Sequence, residues 1–599
     1  MKNHSPLFLA MLPLLATSAL THAEETLTPV VVTATRTAQS ADETLAAVTV
    51  VTREDIERSQ AQSLTELLTG LPGVDITSNG GAGKTTSIFL RGTNPGHTLL
   101  LIDGMQIGSA TTGTASPQYL PLAEIERIEI VRGPQSALYG SDAIGGVIQI
   151  FTRRGGEKTR ANASIGAGQL QTRQIDAGVS GSSGNLRYSA QVSRLSSGNI
   201  DVQDAPADLD GYRNTAGSFN AAYKLSNTAG VETSLLRASG INEYDSTFQS
   251  TNLLESRFLQ QSSNLRLFFK PADAWQVTLR GGESRDFSTE YSNGIEGNHF
   301  NTRRVSQSLQ NDITIGTSNL LTVGVDQLTD NIATTADYAE KSRGNTGLFV
   351  QNQWQGGNHS ITASARRDDN EAFGVHNTGR LAWGYRLDDD LRLMASYGTG
   401  FKAPSFNDLY YPGYGIATLK PEESQSGEIG LGKRMGDAHW SVRYFNNLIT
   451  NLISFDAAIF GPNNIGNARI HGVEIEGGMQ SRDWRLNASA TLQDPRDADT
   501  GKYLQRRARQ NVRFDLDRIG GKFTWGSTLQ LEGDRYDDKN NTVLLRGYTL
   551  ANLHAAYQWT HSLSLRAKVD NLFDENYTNV AGYNMPGRAG FVSLHYLTE

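Results

Sequence analysis

Two rhythms of apolar positions divide the chain. Up to about residue 156 the helical and extended periods are mixed. Leu64, Leu67, Leu68 and Leu71 fall at i, i+3, i+4 and i+7 behind Ser63, which predicts one apolar helical stripe. Pro72-Gly73 then stops it. Thr52 with Asp55, and Ser63 with Glu66, have the spacing of reciprocal helix N-caps. Strand-like runs follow at residues 87–90, 98–102, 125–131 and 146–151. From about residue 157 the period becomes two. Trp484, Leu486, Ala488, Ala490 and Leu492 alternate with Arg485, Asn487, Ser489, Thr491 and Gln493. Val512, Phe514 and Leu516, and later Leu563, Leu565, Ala567 and Val569, alternate with polar residues in the same way.

A soluble sandwich also alternates, but its strands average ~5–6 residues. The runs here are longer and recur to the end of the chain without a helical interlude. Transmembrane barrel strands need ~9–11 residues, apolar toward lipid and polar toward the lumen. Trp525, Tyr557 and Trp559 stand near segment ends, where interfacial aromatic girdles lie. Some 22 antiparallel strands of ~10 residues would use about half of the region beyond residue 156 and leave the rest for turns and outer loops. A barrel that wide has an open lumen unless something fills it. The predicted fold is therefore an all-β transmembrane β-barrel over residues 157–599, with an N-terminal mixed α/β plug domain over 37–156 inside the lumen.

Composition narrows the function. The chain of 599 residues carries 54 Lys+Arg against 62 Asp+Glu, a net charge of −8, so a basic nucleic-acid footprint is absent. It has no cysteine, which excludes disulfides and thiolate metal sites. Residues 1–23 read as a signal peptide: Lys2 supplies the positive start, residues 7–16 the apolar core, and Thr21-His22-Ala23 a small-ended cleavage site. Residues 78–85 nearly match a phosphate-binding loop, with Ser78 in place of the first glycine. A strand-like run follows instead of the helix that phosphate binding needs, so the segment is expected to be a loop. No spacing among the eleven histidines and the serines singles out a nucleophile and base, so no enzyme is predicted.

Residues 24–36 form a polar leader around the short β-prone run Val30, Val31, Val32. By itself this is either a strand handle for edge-on pairing with another protein's sheet or a chance valine run. Asp201, Asp204, Asp208 and Asp210 fall within ten residues and precede Gly211. By themselves they are either a calcium loop, since calcium takes six to eight oxygens, or a solvated acidic hairpin.

Four features in order give the sequence its resemblance to a TonB-dependent outer-membrane transporter. They are TPVVVTA at residues 28–34, SIFLRGTN at 87–94 with LIDG at 101–104, IERIEIVRGPQSALYGSDAIGGVIQI at 125–150, and NLFDENY at 571–577. The barrel adds YGTGFKAPSFND at 397–408 and LKPEESQSGEIG at 419–430. SNGGAGKTTSIFLRGTNPGHTLLLIDG, RRARQNVRFDLD and GYNMPGR resemble the cobalamin-importing branch in particular. Iron-chelate importers (siderophore or heme) share the scaffold and are the alternative.

The resemblance implies the rest. Cobalamin or a related corrinoid would be imported into the periplasm by a monomer in the outer-membrane lipid, with energy delivered by the periplasmic C-terminal domain of TonB. Coupling would use Pro29, Val30, Val31, Val32, Thr33 and Ala34. Substrate would meet Thr85, Ser87, Asn94, Thr112 and Gly113 of the plug, and Ser246 and Arg506 of the barrel. Of these, Ser87, Asn94 and Arg506 keep the family's side-chain chemistry. Calcium ions in the outer loops would be held by Asp201, Asp208, Asp210, Tyr244, Asp245 and Glu255. Independently, a ligand studded with amides calls for many neutral hydrogen-bond groups, and the Gly/Ser/Thr-rich stretches 79–87 and 108–116 offer them.

Overall fold

The computed structural model describes residues 31–32, 36–40, 43–247, 249, 251–456 and 458–598. The signal-peptide segment and Pro29, Val30, Thr33 and Ala34 lie outside these residues. A closed barrel of 22 strands runs from Arg160–Gly168 to Ala589–Leu597, and those two strands pair antiparallel to shut it. Every neighbouring pair is antiparallel and every strand pairs with its sequence neighbour in the ring. Among the described residues no helix is long and apolar enough to cross a membrane.

Period-two patterning becomes two faces. In Tyr212–Lys224 the burial alternates from Tyr212 to Asn220: Asn214, Ser218 and Asn220 point into the lumen and are buried, while Phe219 stands 45% exposed on the outside. Ile165, Val192, Leu348, Leu381 and Ile429 repeat this exposed apolar pattern around the ring. Lipid is the solvent such a band requires, because lipid-facing strands carry their apolar side outward. Trp484 and Trp525 meet edge to face at 5.7 Å near strand ends, as a girdle pair does. Many strands exceed the expected length: they range from 8 residues in Leu563–Asp570 to 21 in Ile295–Ile315. Pairing continues beyond the apolar band, so several outer hairpins are sheet where the sequence suggested loop.

The N-terminal domain carries a five-stranded mixed sheet, in the order Ala47–Val51, Ile125–Arg132, Gly146–Thr152, Thr98–Ile102, Met105–Gln106. Thr52 and Asp55 form the reciprocal cap of Arg53–Ser59. Ser63 caps the next helix, but that helix, Leu64–Leu68, stops a turn short of Leu71. Gly70 at φ +77° breaks it before Pro72 does. Residues 78–85 turn a hairpin between Val74–Ser78 and Thr86–Leu90, so a strand and not a helix follows the glycine-rich stretch.

The plug is bolted to the wall by buried ion pairs. Arg91 reaches Glu474 at 2.8 Å and Glu428 at 2.6 Å, and Arg443 shares Glu428 at 2.9 Å. All four side chains are nearly sealed from solvent. Losing one partner of such a pair typically costs about 3–5 kcal/mol, because the other charge stays buried. The plug thus belongs to the resting barrel.

Candidate substrate-binding and coupling site

Three plug turns build the candidate substrate face. The first joins the strands Val74–Ser78 and Thr86–Leu90. Asn79 donates its backbone N–H to Thr85 O at 3.0 Å, leaving the Thr85 side chain exposed. Ser87 is half-buried opposite Thr77. Gly83, at φ +76°, packs so closely on Tyr212 that a Cβ there would stand 2.1 Å from the ring. Only glycine permits both the turn and the contact.

Asn94 opens the second turn. Its side-chain oxygen accepts from the Arg507 guanidinium, and its backbone N–H donates to His97 Nδ1 at 3.2 Å. The other ring nitrogen, Nε2, then carries the proton and donates to Glu422 at 3.0 Å. The third turn spans Ser109 to Thr114, with Thr112 exposed and Gly113 at φ +69°. Barrel residues Phe406 and Asn407 donate to Ala110 O and Thr111 O at 3.1 and 2.8 Å, which fixes it. Lys402 lies between the second and third turns: a Cβ added at Gly96 or Gly113 would come within 3.1 or 2.9 Å of its Nζ.

Arg506 sits apart from Asn94. It pairs with Asp537 at 2.8 Å, while its neighbour Arg507 makes the Asn94 contact, donates to Gly92 O at 3.1 Å and covers the Phe89 ring at 4.6 Å. Positive φ at Arg506 (65°) swings the two consecutive side chains apart. Ser246 is half-buried in the outer loop that carries Asp245. Arg507 and Lys402 were missed in the sequence. The Arg506-Arg507 doublet was legible, but alternation could not say which member faces inward, because regular pairing resumes only at Gln510–Arg518.

The acidic residues divide. Asp201, Asp210 and Asp245 bring carboxylate oxygens within 4.8 Å of one another. Asp208 lies beside them, and a buried oxygen on each of Asp201 and Asp208 has no hydrogen-bond partner among the described residues. Burial, then the Asp245 and Asp208 charges, push Asp210 up to about 7, despite its bond from Val202 N. Burial with the Asp201 and Glu243 charges raises Asp208, and burial with the Asp208 and Asp201 charges raises Asp245. Such a set, all oxygen and short of positive charge, fits a hard cation such as calcium. One predicted ligand falls away and another narrows. The Tyr244 phenol donates to Glu290 at 2.6 Å, which leaves its backbone oxygen as the atom it could offer an ion, and Glu255 pairs with Arg257 at 2.6 Å on the outer face of its strand. Glu255 alternates with buried Leu254 and Ser256, so its side chain points away from the lumen-side cluster.

This cluster touches the first plug turn. Asn199 donates to Ala82 O at 3.1 Å, and Lys84, fully buried, donates to Asn242 at 2.8 Å. Burial lowers Lys84 to about 8 against the pull of Asp210, Glu243 and Asp245. Order in the acidic loop is therefore order in the first plug turn.

At the other end of the plug, Val31–Val32 pairs antiparallel with Gln39–Ser40. Beside it Arg36 grips barrel residue Asp326 through two bonds of 3.1 and 2.6 Å, and Arg366 shares that carboxylate at 2.6 Å. The Arg36 guanidinium also covers Phe349 at 4.3 Å and Tyr139 at 4.8 Å. Arg36→Ala is expected to release the leader. A spin label at residue 32 should report higher mobility than in the parent, and unchanged mobility would show that the strand pairing alone holds it.

A barrel closed by its own N-terminal domain, with a tethered leader on one side and polar turns on the other, defines a gated outer-membrane transporter. The chain belongs to the TonB-dependent receptor family: a TonB-dependent receptor-like β-barrel matches residues 159–572 and a TonB-dependent receptor plug domain matches residues 40–147. This is a family of receptors and transporters, not of enzymes. The chain is similar to the vitamin B12 transporter BtuB of Vibrio vulnificus, with 34% identity and 99% of each chain covered. Its fold is similar to that of the siderophore receptor PirA of Acinetobacter baumannii, at TM-score 0.79 and 20% identity over 92% of this chain and 98% of that one. The ferric enterobactin receptor PfeA of Pseudomonas aeruginosa gives TM-score 0.80 and 19% identity over 95% of this chain and 100% of the other.

Proposed function

We propose that this TonB-dependent transporter binds cobalamin at its outer face and imports it, with calcium in the Asp201, Asp208, Asp210, Asp245 cluster ordering the first plug turn. The observation that carries the reading is the chemistry of the plug turns. Thr85, Ser87, Asn94 and Thr112 present neutral hydroxyl and amide groups, which suit a ligand bearing many amides. The near full-length similarity to vitamin B12 transporters supports it. The run around Val31 would be the strand that TonB pairs with.

One observation favours a ferric chelate instead: Lys402, Arg506 and Arg507 approach the same turns and would suit an anionic ligand. Two of the three are already engaged, Arg506 with Asp537 and Arg507 with Asn94, while Lys402 stands opposite buried Glu422 in register. Equilibrium binding to the purified protein, with and without calcium, separates the two. Cobalamin is expected to bind tightly and to lose affinity on chelation, and ferric chelates to compete weakly. Displacement of cobalamin by a ferric chelate at equal concentration would overturn the reading.

A further inference from the structure

Four consecutive barrel strands each project one arginine outward: Arg173 in Arg173–Ser183, Arg194 in Leu186–Ser197 and Arg213 in Tyr212–Lys224 near the extracellular ends, and Arg237 midway along the longer strand Ala229–Tyr244. All four are exposed. Arg213 alternates with buried Tyr212 and Asn214, and Arg237 with buried Leu236 and Ala238, so these arginines lie on the lipid side. Register keeps them in one row. Arg173 opposes Ser196, two residues from Arg194; Arg194 opposes Thr215, two from Arg213; and Arg213 opposes Ile241, four from Arg237. Below the row, on the same face, come exposed Ile175, Val192, Phe219 and Leu235, the start of the apolar band.

What sets this arc apart is the lack of counter-charge. Among the described residues none accepts a hydrogen bond or ion pair from Arg173, Arg194, Arg213 or Arg237. The next three strands also carry outward arginines, but theirs are neutralised: Arg257 by Glu255 at 2.6 Å, and Arg285 and Arg303 by Glu283 at 2.5 and 2.6 Å. On the far side Arg496 pairs with Asp494 at 2.9 Å and Arg367 stands two residues from outward Asp369, while Arg469, a single cation there, donates to the Asn446 amide at 3.2 Å. In a chain of net charge −8, four uncompensated guanidinium groups sit side by side at the rim of the apolar band.

We propose that this arc binds the phosphorylated glycolipid of the outer leaflet, its arginine row gripping the lipid's phosphates while the apolar residues beneath pack its acyl chains. The guanidinium fork matches phosphate oxygens two at a time, and strands ~4.8 Å apart space the row for a head group bearing more than one phosphate. An anionic head group at the interface supplies the charge that the protein withholds.

The test compares the full-length protein with a variant carrying Arg173→Gln, Arg194→Gln, Arg213→Gln and Arg237→Gln, and with an opposite-arc control carrying Arg367→Gln and Arg469→Gln. Retention of lipopolysaccharide on the purified, detergent-solubilised protein is measured, with barrel closure checked by heat-dependent gel mobility. The quadruple variant is expected to bind at least about tenfold more weakly, and the control within about twofold of the parent. Dephosphorylated lipopolysaccharide should bind the parent as weakly as intact lipid binds the variant. Should the quadruple variant fail to close, Arg194→Gln with Arg213→Gln should still weaken binding by about threefold. Equal retention by parent and variant, or undiminished binding of the dephosphorylated lipid, would overturn the proposal. So would equal competition by phosphatidylglycerol vesicles, which would make the arc a general anion surface.

Discussion

Val31→Pro should abolish energised uptake while leaving substrate binding at the cell surface intact. The leader strand Val31–Val32 is built to pair: its main chain bonds Gln39–Ser40 in the resting protein and would exchange that partner for an incoming strand. Proline removes one backbone donor and clashes with regular pairing, a loss on the order of 3 kcal/mol, or about a hundredfold in partner affinity. The substrate turns lie at the opposite end of the plug, so their geometry is untouched. Uptake of labelled cobalamin, measured beside equilibrium binding on the same cells, separates the two effects. Uptake that persisted at the parent's rate would move the coupling strand to another part of the leader.

Asp210→Asn combined with Asp245→Asn should lose calcium binding and with it the calcium-dependent part of substrate affinity. Asparagine keeps the oxygen that accepts from Val202 N and Gln203 N, so the loop's own bonds survive. What goes is two of the three carboxylates that converge within 4.8 Å. Each charged contact to the ion is worth about 1.5–3 kcal/mol, so the pair should weaken calcium binding about a hundredfold or more. In calcium-free buffer the sign reverses. A folded-state pKa raised to about 7 means that ionised Asp210 is disfavoured in the fold at neutral pH. Removing that charge should therefore leave the apo barrel no less stable than the parent. Calorimetric calcium titration and a thermal melt with and without the ion read both halves. Undiminished calcium affinity would place the ion elsewhere, and a less stable apo variant would show that the carboxylates hold the loop by themselves.

Features that depend on neighbours along the chain can be read from residue order alone. Alternation at Trp484 to Gln493 dictated strands with one apolar and one polar face, because side chains in a strand point to opposite sides. The leucine stripe behind Ser63, the glycine-rich turns and the valine run were legible for the same local reason. Some of what tertiary structure decided was distance across the lumen. Asp201, Asp210 and Asp245 converge because register sets the ends of neighbouring strands side by side, whereas Glu255, equally acidic, is turned outward by the same register. Arg507 rather than Arg506 meets Asn94 because one positive φ rotates the doublet, a choice that alternation cannot make outside a regular strand. The Arg36–Asp326 tie spans 290 residues of sequence, and the row of arginines from Arg173 to Arg237 exists only once four hairpinned strands stand in register. Local pattern fixes which way a side chain points from its own strand, and only closure of the ring fixes what it then faces.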